Sequence, residues 1–260
     1  TVQIGKWHIG AEHVPIESHG FDYVIGHAFG ASPGATAKWY GPYPSIRDLD
    51  APSTEYITDR LTSEAINFIQ THADEPFFMM FQHYDVHGPI TAPEALVQKY
   101  VDLGRPRTNG LENAVYLAMK EAIDISFGLV VDTLKELGIY ENTIIIFTSD
   151  NGGVSHRANN GNLKLGKKWL YEGGVRVPLL MRAPGVSLPS YISSEPVSGI
   201  DFFPTLVELT SGINALANYE FDGKSLVPLL RGTPWIAGKL FFGIHLRLGF
   251  GGEQSFLQEV

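Results

Sequence analysis

The sequence contains no cysteine, so it forms no disulfide and no thiolate metal site, and its redox compartment leaves no mark on it. It also lacks a basic excess: 19 Lys and Arg stand against 28 Asp and Glu, a formal net charge of -9. That balance argues against nucleic-acid binding. It does not exclude a small anionic substrate, because a few local cations can dominate a cleft. No apolar run approaches the roughly 18 residues of a membrane span. No signal-peptide pattern opens the chain, and because residue 1 is Thr rather than Met, this excludes no compartment. Internal repeats and low-complexity blocks are absent too.

What is present is an ordinary globular composition, 44% hydrophobic and 18% charged over 260 residues, enough for a core without covalent staples. The length suits one large domain or two small ones. FDYVIG (21–26) reads as a short strand, and the Gly/Pro/Ser-rich stretch after it as a long surface loop. In residues 54–72, Ile57, Leu61, Phe68 and Ile69 share one helical face. FFMMF, after Pro76, has the continuous apolar character of a strand buried on both faces. Ile123, Phe127, Val130, Leu134 and Leu137 repeat at helical spacing up to a stop at Gly138. TIIIFT and VPLLMR read as strands, DFFPTLVELTSG as a helix despite Pro204, and KLFFGIH as an edge or final strand. Wholly apolar strands alternating with helices predict an α/β fold, a mostly parallel sheet with helices on both faces. Ligands of such sheets sit at the carboxyl ends of the strands.

Polar clusters stand at those ends. FFMMFQ runs into HYDVHGP, which delivers His83, Asp85 and His87, and TIIIFTS runs into DNGG, which delivers Asp150 and Asn151. A carboxylate beside an amide oxygen suits a hard cation such as calcium. Asn-Gly is equally the strongest hairpin-turn signal, although no alternating strand comes after it to complete a hairpin. In GKWH, Lys6 and His8 point the same way if the segment is extended. Lys167 and Lys168 come directly after Gly166. Taken singly, each of these is as well read as a solvated loop residue.

Taken in order, GKWH, HGP, SDNGG, GKKWLYEGGVRVP and DFFPTL resemble the sulfatase family of the alkaline phosphatase superfamily, from Gly5 to about Gly232. TSDNGG and YEGGVRVPLLMRAPG are its most specific stretches. PVSGIDFFPTLVEL and DGKSLVPLLRG look structural. The resemblance implies hydrolysis of sulfate esters with a calcium ion and a formylglycine made from the Cys or Ser of C/S-x-P-x-R. The hydrated aldehyde attacks sulfur, and its second hydroxyl later expels sulfate. It further implies that Asp150 and Asn151 are calcium ligands and that Lys6 and Lys167 neutralise sulfate oxygens. His8 would contact the hydrated aldehyde, and His87 would protonate the leaving oxygen or position the sulfate. His83, Tyr84, His156 and Arg157 are candidate selectors of a sulfated sugar, with solvated loop residues as the even alternative.

The sequence also departs from that family. It has no cysteine, no Asp-Asp pair for the other calcium ligands, and no C/S-x-P-x-R. The nearest approach, GPYPSIR, puts Pro42 at the nucleophile position and Ile46 at the arginine position. Both motifs belong upstream of GKWH in the family. The expectation is therefore an incomplete catalytic domain over residues 1–238 and the start of a truncated carboxyl-terminal region over 239–260. Such a chain is expected to be inactive alone. The expected partner is a sulfated small molecule or glycan, and the family suggests an extracytoplasmic location. Oligomeric state is not readable. Two alternatives stay open: a non-catalytic relative that binds sulfated glycans, and a phosphodiesterase or phosphonate monoester hydrolase of the same superfamily.

Overall fold

The computed structural model describes residues 1–9, 14–28, 32–33, 38–44 and 46–237. Ser45, the KLFFGIH strand, and the boundary expected at 238 with the region beyond it lie outside the described residues. The chain divides into two compact units, Thr1–Glu141 with His156–Asn159, and Asn142–Ser155 with Asn160–Val260.

The first unit is built on a parallel sheet of three strands, β1 (Val2–Gly5), β2 (Tyr23–Ile25) and β3 (Met79–Gln82), in the order β2-β1-β3. Gln3 stands opposite Val24 and Met80, and Gly5 opposite Gln82. β1 is central and wholly buried, yet the sequence pattern missed it, because Gln3 interrupts its apolar run. Its carboxamide compensates for burial by donating to the Gly5 carbonyl at 3.0 Å and lying 3.2 Å from Gln82 Oε1. One face carries Val24 and Met80 against Trp7, Ile16 and Phe21.

Helix α1 (Ile57–Thr71) packs against β1. Its buried stripe of Ile57, Leu61, Ala65, Phe68 and Ile69 matches the predicted face. Each large side chain there contributes about 1.5–3 kcal/mol by leaving water. Helix α2 (Glu94–Asp102), which the sequence did not suggest, packs on α3 (Ala114–Glu136). Asn113 caps α3 by accepting from the Tyr116 amide at 3.1 Å, and Gly138 (φ 71°) marks its end as predicted. Of the predicted stripe of α3, Val130 and Leu134 are buried and Ile123 and Phe127 half-buried, and the inward face also takes in small residues. Ala118, Met119, Ala122 and Ser126 face inward, whereas Leu137 is 39% exposed. Small residues win because α1 crosses closely there, joined through the 2.6 Å Thr62–Ser126 hydrogen bond. The predicted surface loop after β2 is also partly core, since His27, Trp39 and Tyr43 are buried.

The second unit contains β4 (Ile145–Thr148) and β5 (Leu179–Arg182), paired antiparallel with Ile145 opposite Arg182. This departs from the parallel expectation, because an apolar strand carries no mark of its partner's direction. Nor, among the described residues, are these strands buried on both faces, since Leu180 is 61% exposed. Between them lies the short helix α4 (Glu172–Val175), and α5 (Phe202–Ser211) and α6 (Val227–Leu230) come after β5. The structural reading of DFFPTL and DGKSLVPLL has a clear basis. Buried Asp201 accepts from the backbone amides of Ser198 and Lys224, both at 2.8 Å, and Thr205 Oγ1 accepts from the Leu226 amide at 2.8 Å.

Candidate active site

In the first unit, β1 and β3 run parallel, so the segments leaving them emerge from one sheet edge. The Lys6 amide donates to the Gln82 carbonyl at 2.8 Å, which extends the pairing one residue past β1. Trp7 is buried in one cluster with Ile16, Val24 and Phe21, and its neighbours Lys6 and His8 are half-buried and exposed.

The β3 exit is more deeply buried than the sequence suggested. The His83 Nε2 lies 3.3 Å from Ser126 Oγ, its ring packs on Phe81 at 4.2 Å, and its Nδ1 is buried without a hydrogen-bond partner among the described residues. Burial pushes its pKa down to about 4, so the ring is neutral. Tyr84 is 1% exposed and donates to the Gly26 carbonyl at 3.0 Å. Tyr84 is thereby part of the support of the loop, while His83 is half-buried beside Ser126 and Phe81. At the start of α1, the Tyr56 hydroxyl lies 2.6 Å from Asp85 Oδ1, and Asp85 Oδ2 accepts from Thr58.

His87 comes next and is half-buried. Its Nδ1 lies 2.8 Å from the Gly88 carbonyl and 3.2 Å from Ser32 Oγ. A carbonyl cannot donate, so Nδ1 carries hydrogen in this arrangement and proton exchange falls to Nε2. Ser32, which in turn donates to the Gly88 carbonyl at 2.8 Å, did not stand out in the sequence. Its only signal was a place in the Ser/Pro/Gly-rich loop. Arg157 joins this unit: a Cβ on Gly88 would sit 3.1 Å from Arg157 Nη1, so the guanidinium lies beside the His87–Gly88 turn. His156 is exposed.

In the second unit, exposed Asp150 and half-buried Asn151 come after β4. DNGG does not form a hairpin, because the partner of β4 is β5, with residues 149–178 lying between the paired Thr148 and Leu179. The Asn151 amide nitrogen donates to Asp150 Oδ1 at 2.7 Å, so the amide oxygen is the group left to meet a cation. Backbone packed on backbone fixes the loop beyond Asn151. The Gly152 amide donates to the Gly174 carbonyl at 2.9 Å, and a Cβ on Gly152 would lie 1.8 Å from the Gly173 oxygen. The Lys167 amide donates to the Gly153 carbonyl at 3.0 Å, bringing the predicted lysine loop onto the DNGG loop. Asn160 staples both, exchanging hydrogen bonds with Gly153 at 3.1 and 3.0 Å and donating to the Leu165 carbonyl at 2.9 Å. It was missed in the sequence, where NNGN reads as loop. Trp169, two residues past Lys167, is 53% exposed.

A calcium ion takes six to eight oxygens. Asp150 and Asn151 offer oxygens of the right hardness, and they fit as part of such a set. Among the described residues, no group of three or more His, Cys, Asp or Glu could hold a metal ion. No helix among them is long and apolar enough to cross a membrane.

Known proteins share this order of motifs. A family model described as Sulfatase matches residues 1–213. A sulfatase of Formosa agariphila is 37% identical over 191 residues, covering 68% of this chain and 34% of that protein. The N-acetylgalactosamine-6-sulfatase of Mus musculus is 31% identical over 257 residues, covering 87% of this chain and 45% of the relative. The chain thus spans about a third to a half of these relatives' length. Among solved structures, Ps i-CgsB in complex with k-i-k-neocarrahexaose matches with a TM-score of 0.77 and 28% identity, over 95% of this chain and 58% of that one. The α/β fold is alkaline phosphatase-like.

Proposed function

Because this chain belongs to the sulfatase family, we propose that it carries much of the catalytic apparatus of a sulfuric ester hydrolase acting on a sulfated carbohydrate outside the cytosol. The observation that supports this reading most is the stapling of Lys167 onto the DNGG loop by Asn160 and paired glycines. That construction ties the Lys167 backbone to the loop that carries Asp150 and Asn151, and on this reading its ammonium serves an anionic substrate with a metal partner.

Each residue takes its role on its own unit. Lys6 neutralises charge on sulfate oxygens, and His8 steadies the attacking group. His87 donates a proton from Nε2 to the leaving oxygen, its ring fixed through Nδ1 by Gly88 and Ser32. Lys167 neutralises charge on sulfate oxygens, and Asp150 and Asn151 would help to hold calcium, which when bound adds fixed positive charge. Sulfuryl transfer asks mainly for positioning and such charge. Arg157 and His156 contact the sugar. The complex of Ps i-CgsB with k-i-k-neocarrahexaose supports a glycan as the substrate class. With no cysteine and no C/S-x-P-x-R in these residues, no side chain of this chain fits the formylglycine nucleophile. The chain alone is inactive on this reading.

The test is hydrolysis of aryl sulfate and sulfated sugars by the protein that the whole gene encodes, beside its Lys167→Ala variant. The expected loss is about 10²–10³ in rate with the fold intact. An unchanged rate removes Lys167 from the chemistry, and sulfate release by the 260 residues alone refutes their inactivity. A second reading, a phosphonate monoester hydrolase, has a fold neighbour in SpPMH from Silicibacter pomeroyi at a TM-score of 0.53. Preference for phosphonate over sulfate esters in the same assay would favour it.

A further inference from the structure

The Tyr56 hydroxyl sits between two oxygens. It lies 2.6 Å from Asp85 Oδ1 and 2.7 Å from the Thr91 carbonyl. A phenol has one hydrogen, and neither an ionised carboxylate nor a carbonyl can supply another. With Asp85 ionised, one of these two contacts would therefore set lone pair against lone pair. A protonated Asp85 removes the conflict: its O–H donates to the Tyr56 oxygen, and the Tyr56 O–H donates to Thr91. Thr58 then donates to the other carboxyl oxygen. In this form each of the three contacts has its own proton.

The surroundings agree. Among the described residues, the titratable groups facing Asp85 are Tyr56 and Asp59 on the α1 side and Tyr40 from the preceding loop, and none is a cation. Desolvation is the main influence on Asp85 and raises its pKa to about 7. The start of α1, where Tyr56 is the N-cap, pulls toward the anion. Asp85 meets side chains of that turn, however, and the hydrogen-bond arithmetic prevails.

We propose that Asp85 is a protonated carboxyl in the folded chain and that the Asp85–Tyr56–Thr91 chain of hydrogen bonds is a latch, tying the segment that carries His87 to the start of α1. Asp85 is a positioning residue. It sits two residues before His87, whose backbone amide donates to the Tyr84 carbonyl at 3.0 Å, so the latch and the imidazole share one short turn. Ionisation of Asp85 breaks a contact on either the Asp85 or the Thr91 side of Tyr56 and loosens that turn. The latch stands on geometry alone, and only its consequence for catalysis rests on the role proposed for His87.

The pH effect has a definite sign. An aspartate whose folded pKa lies above its unfolded value near 3.9 holds its proton more tightly when folded. Its contribution is complete below about pH 4 and is lost as pH rises toward about 7. Asp85→Asn imitates the protonated form, since the amide donates to Tyr56 and its oxygen accepts from Thr58. Relative to that variant, the wild-type chain should lose about tenfold in folded-to-unfolded ratio per pH unit across this window. The comparison cancels titrations that do not respond to Asp85, while Asp59, whose charge raises the Asp85 pKa, is part of the measured difference.

The experiment needs no turnover. Infrared spectra of the full chain with ¹³C-labelled aspartate should show a protonated-carboxyl band at pH 6 that titrates away toward pH 8 and is missing in Asp85→Asn. The His87 ring nitrogen shifts should step with the same midpoint in wild type and lose that step in the variant. Absence of the band from wild-type protein at pH 6 overturns the proposal, whether or not the variant folds. So does a band or a His87 step that persists in Asp85→Asn. Absence of sulfatase activity from the protein that the whole gene encodes, with the band present, would count against the proposed reaction and leave the latch standing.

Discussion

Lys6, His8 and His87 leave a parallel sheet and are held by buried polar side chains, whereas Asp150, Asn151 and Lys167 stand on loops locked by glycine backbone against glycine backbone. In the first unit, Gln3, Tyr56, Tyr84 and Asp85 use side-chain atoms to fix the strand exits. In the second, Gly152, Gly166, Gly173 and Gly174 leave no room for a Cβ. The first arrangement fails when a polar atom is lost. The second fails when a carbon is gained. Gly5 and Gly41 are where the first unit borrows the other device: a Cβ would lie 2.1 Å from the Gln82 oxygen at Gly5, which has φ 93°, and 2.3 Å from the Pro52 oxygen at Gly41.

The largest effect should come from Gly152→Ala, whose methyl would lie 1.8 Å from the Gly173 oxygen. Rigid backbone on both sides should make the loss about 3 kcal/mol or more, read from the denaturant midpoint. A loss under about 1 kcal/mol would mean the glycine contact yields easily, and the contrast would collapse. Gln3→Leu keeps the bulk but removes the donor that reaches the Gly5 and Lys6 carbonyls at 3.0 and 3.3 Å. It should cost about 2 kcal/mol. Asn160→Ala comes next at about 1–2 kcal/mol, with faster hydrogen exchange at the Lys167 amide as the specific sign. If exchange at Lys167 is unchanged, Asn160 is not the staple.

Acid titration sharpens the comparison further. His83 is neutral when folded, with its pKa pushed down to about 4, so its contribution is lost as pH falls from about 6.5 toward 4. Asp85 acts in the opposite sense over much of the same range. Asp85→Asn should therefore uncover a stability that rises with pH between about 4 and 6.5, where wild type is nearly flat. A flat profile in the variant would show that His83 does not titrate with unfolding. The smallest effect is expected for Arg176→Ala, which removes an exposed 3.1 Å pair with Glu172 and should cost under about 0.5 kcal/mol.

The contrast also explains what the sequence made legible. β2 to β5, α1, α3 and α5 announce themselves through apolar runs or helical spacing, and those signals survive folding because they are themselves the burial pattern. β1 escaped because a glutamine can lie in a core once its hydrogen bonds are met, and composition does not reveal that they are. The direction of β5 escaped because antiparallel and parallel pairing both accept the same apolar strand. Of the candidate site, DNGG and the lysine loop were visible, since glycine at fixed offsets marks close backbone approach. The depth of Tyr84 was not legible, because a polar side chain just past a strand end reads as solvent-facing until packing shows otherwise. Asn160 and Ser32 act through contacts remote in sequence or buried in loop composition, and no local pattern singles them out.

Three of the four tryptophans divide along the same line. Trp7 and Trp39 are 6% and 3% exposed, whereas Trp169 is 53% exposed and stands beside Lys167 and Lys168. Emission from the buried pair is shielded from a collisional quencher, while the indole at Trp169 is open to one. An iodide ion would be drawn there by the neighbouring ammonium groups. The molecule thus carries its own lamp on the lysine loop, and any anion that settles there will change its colour or dim it.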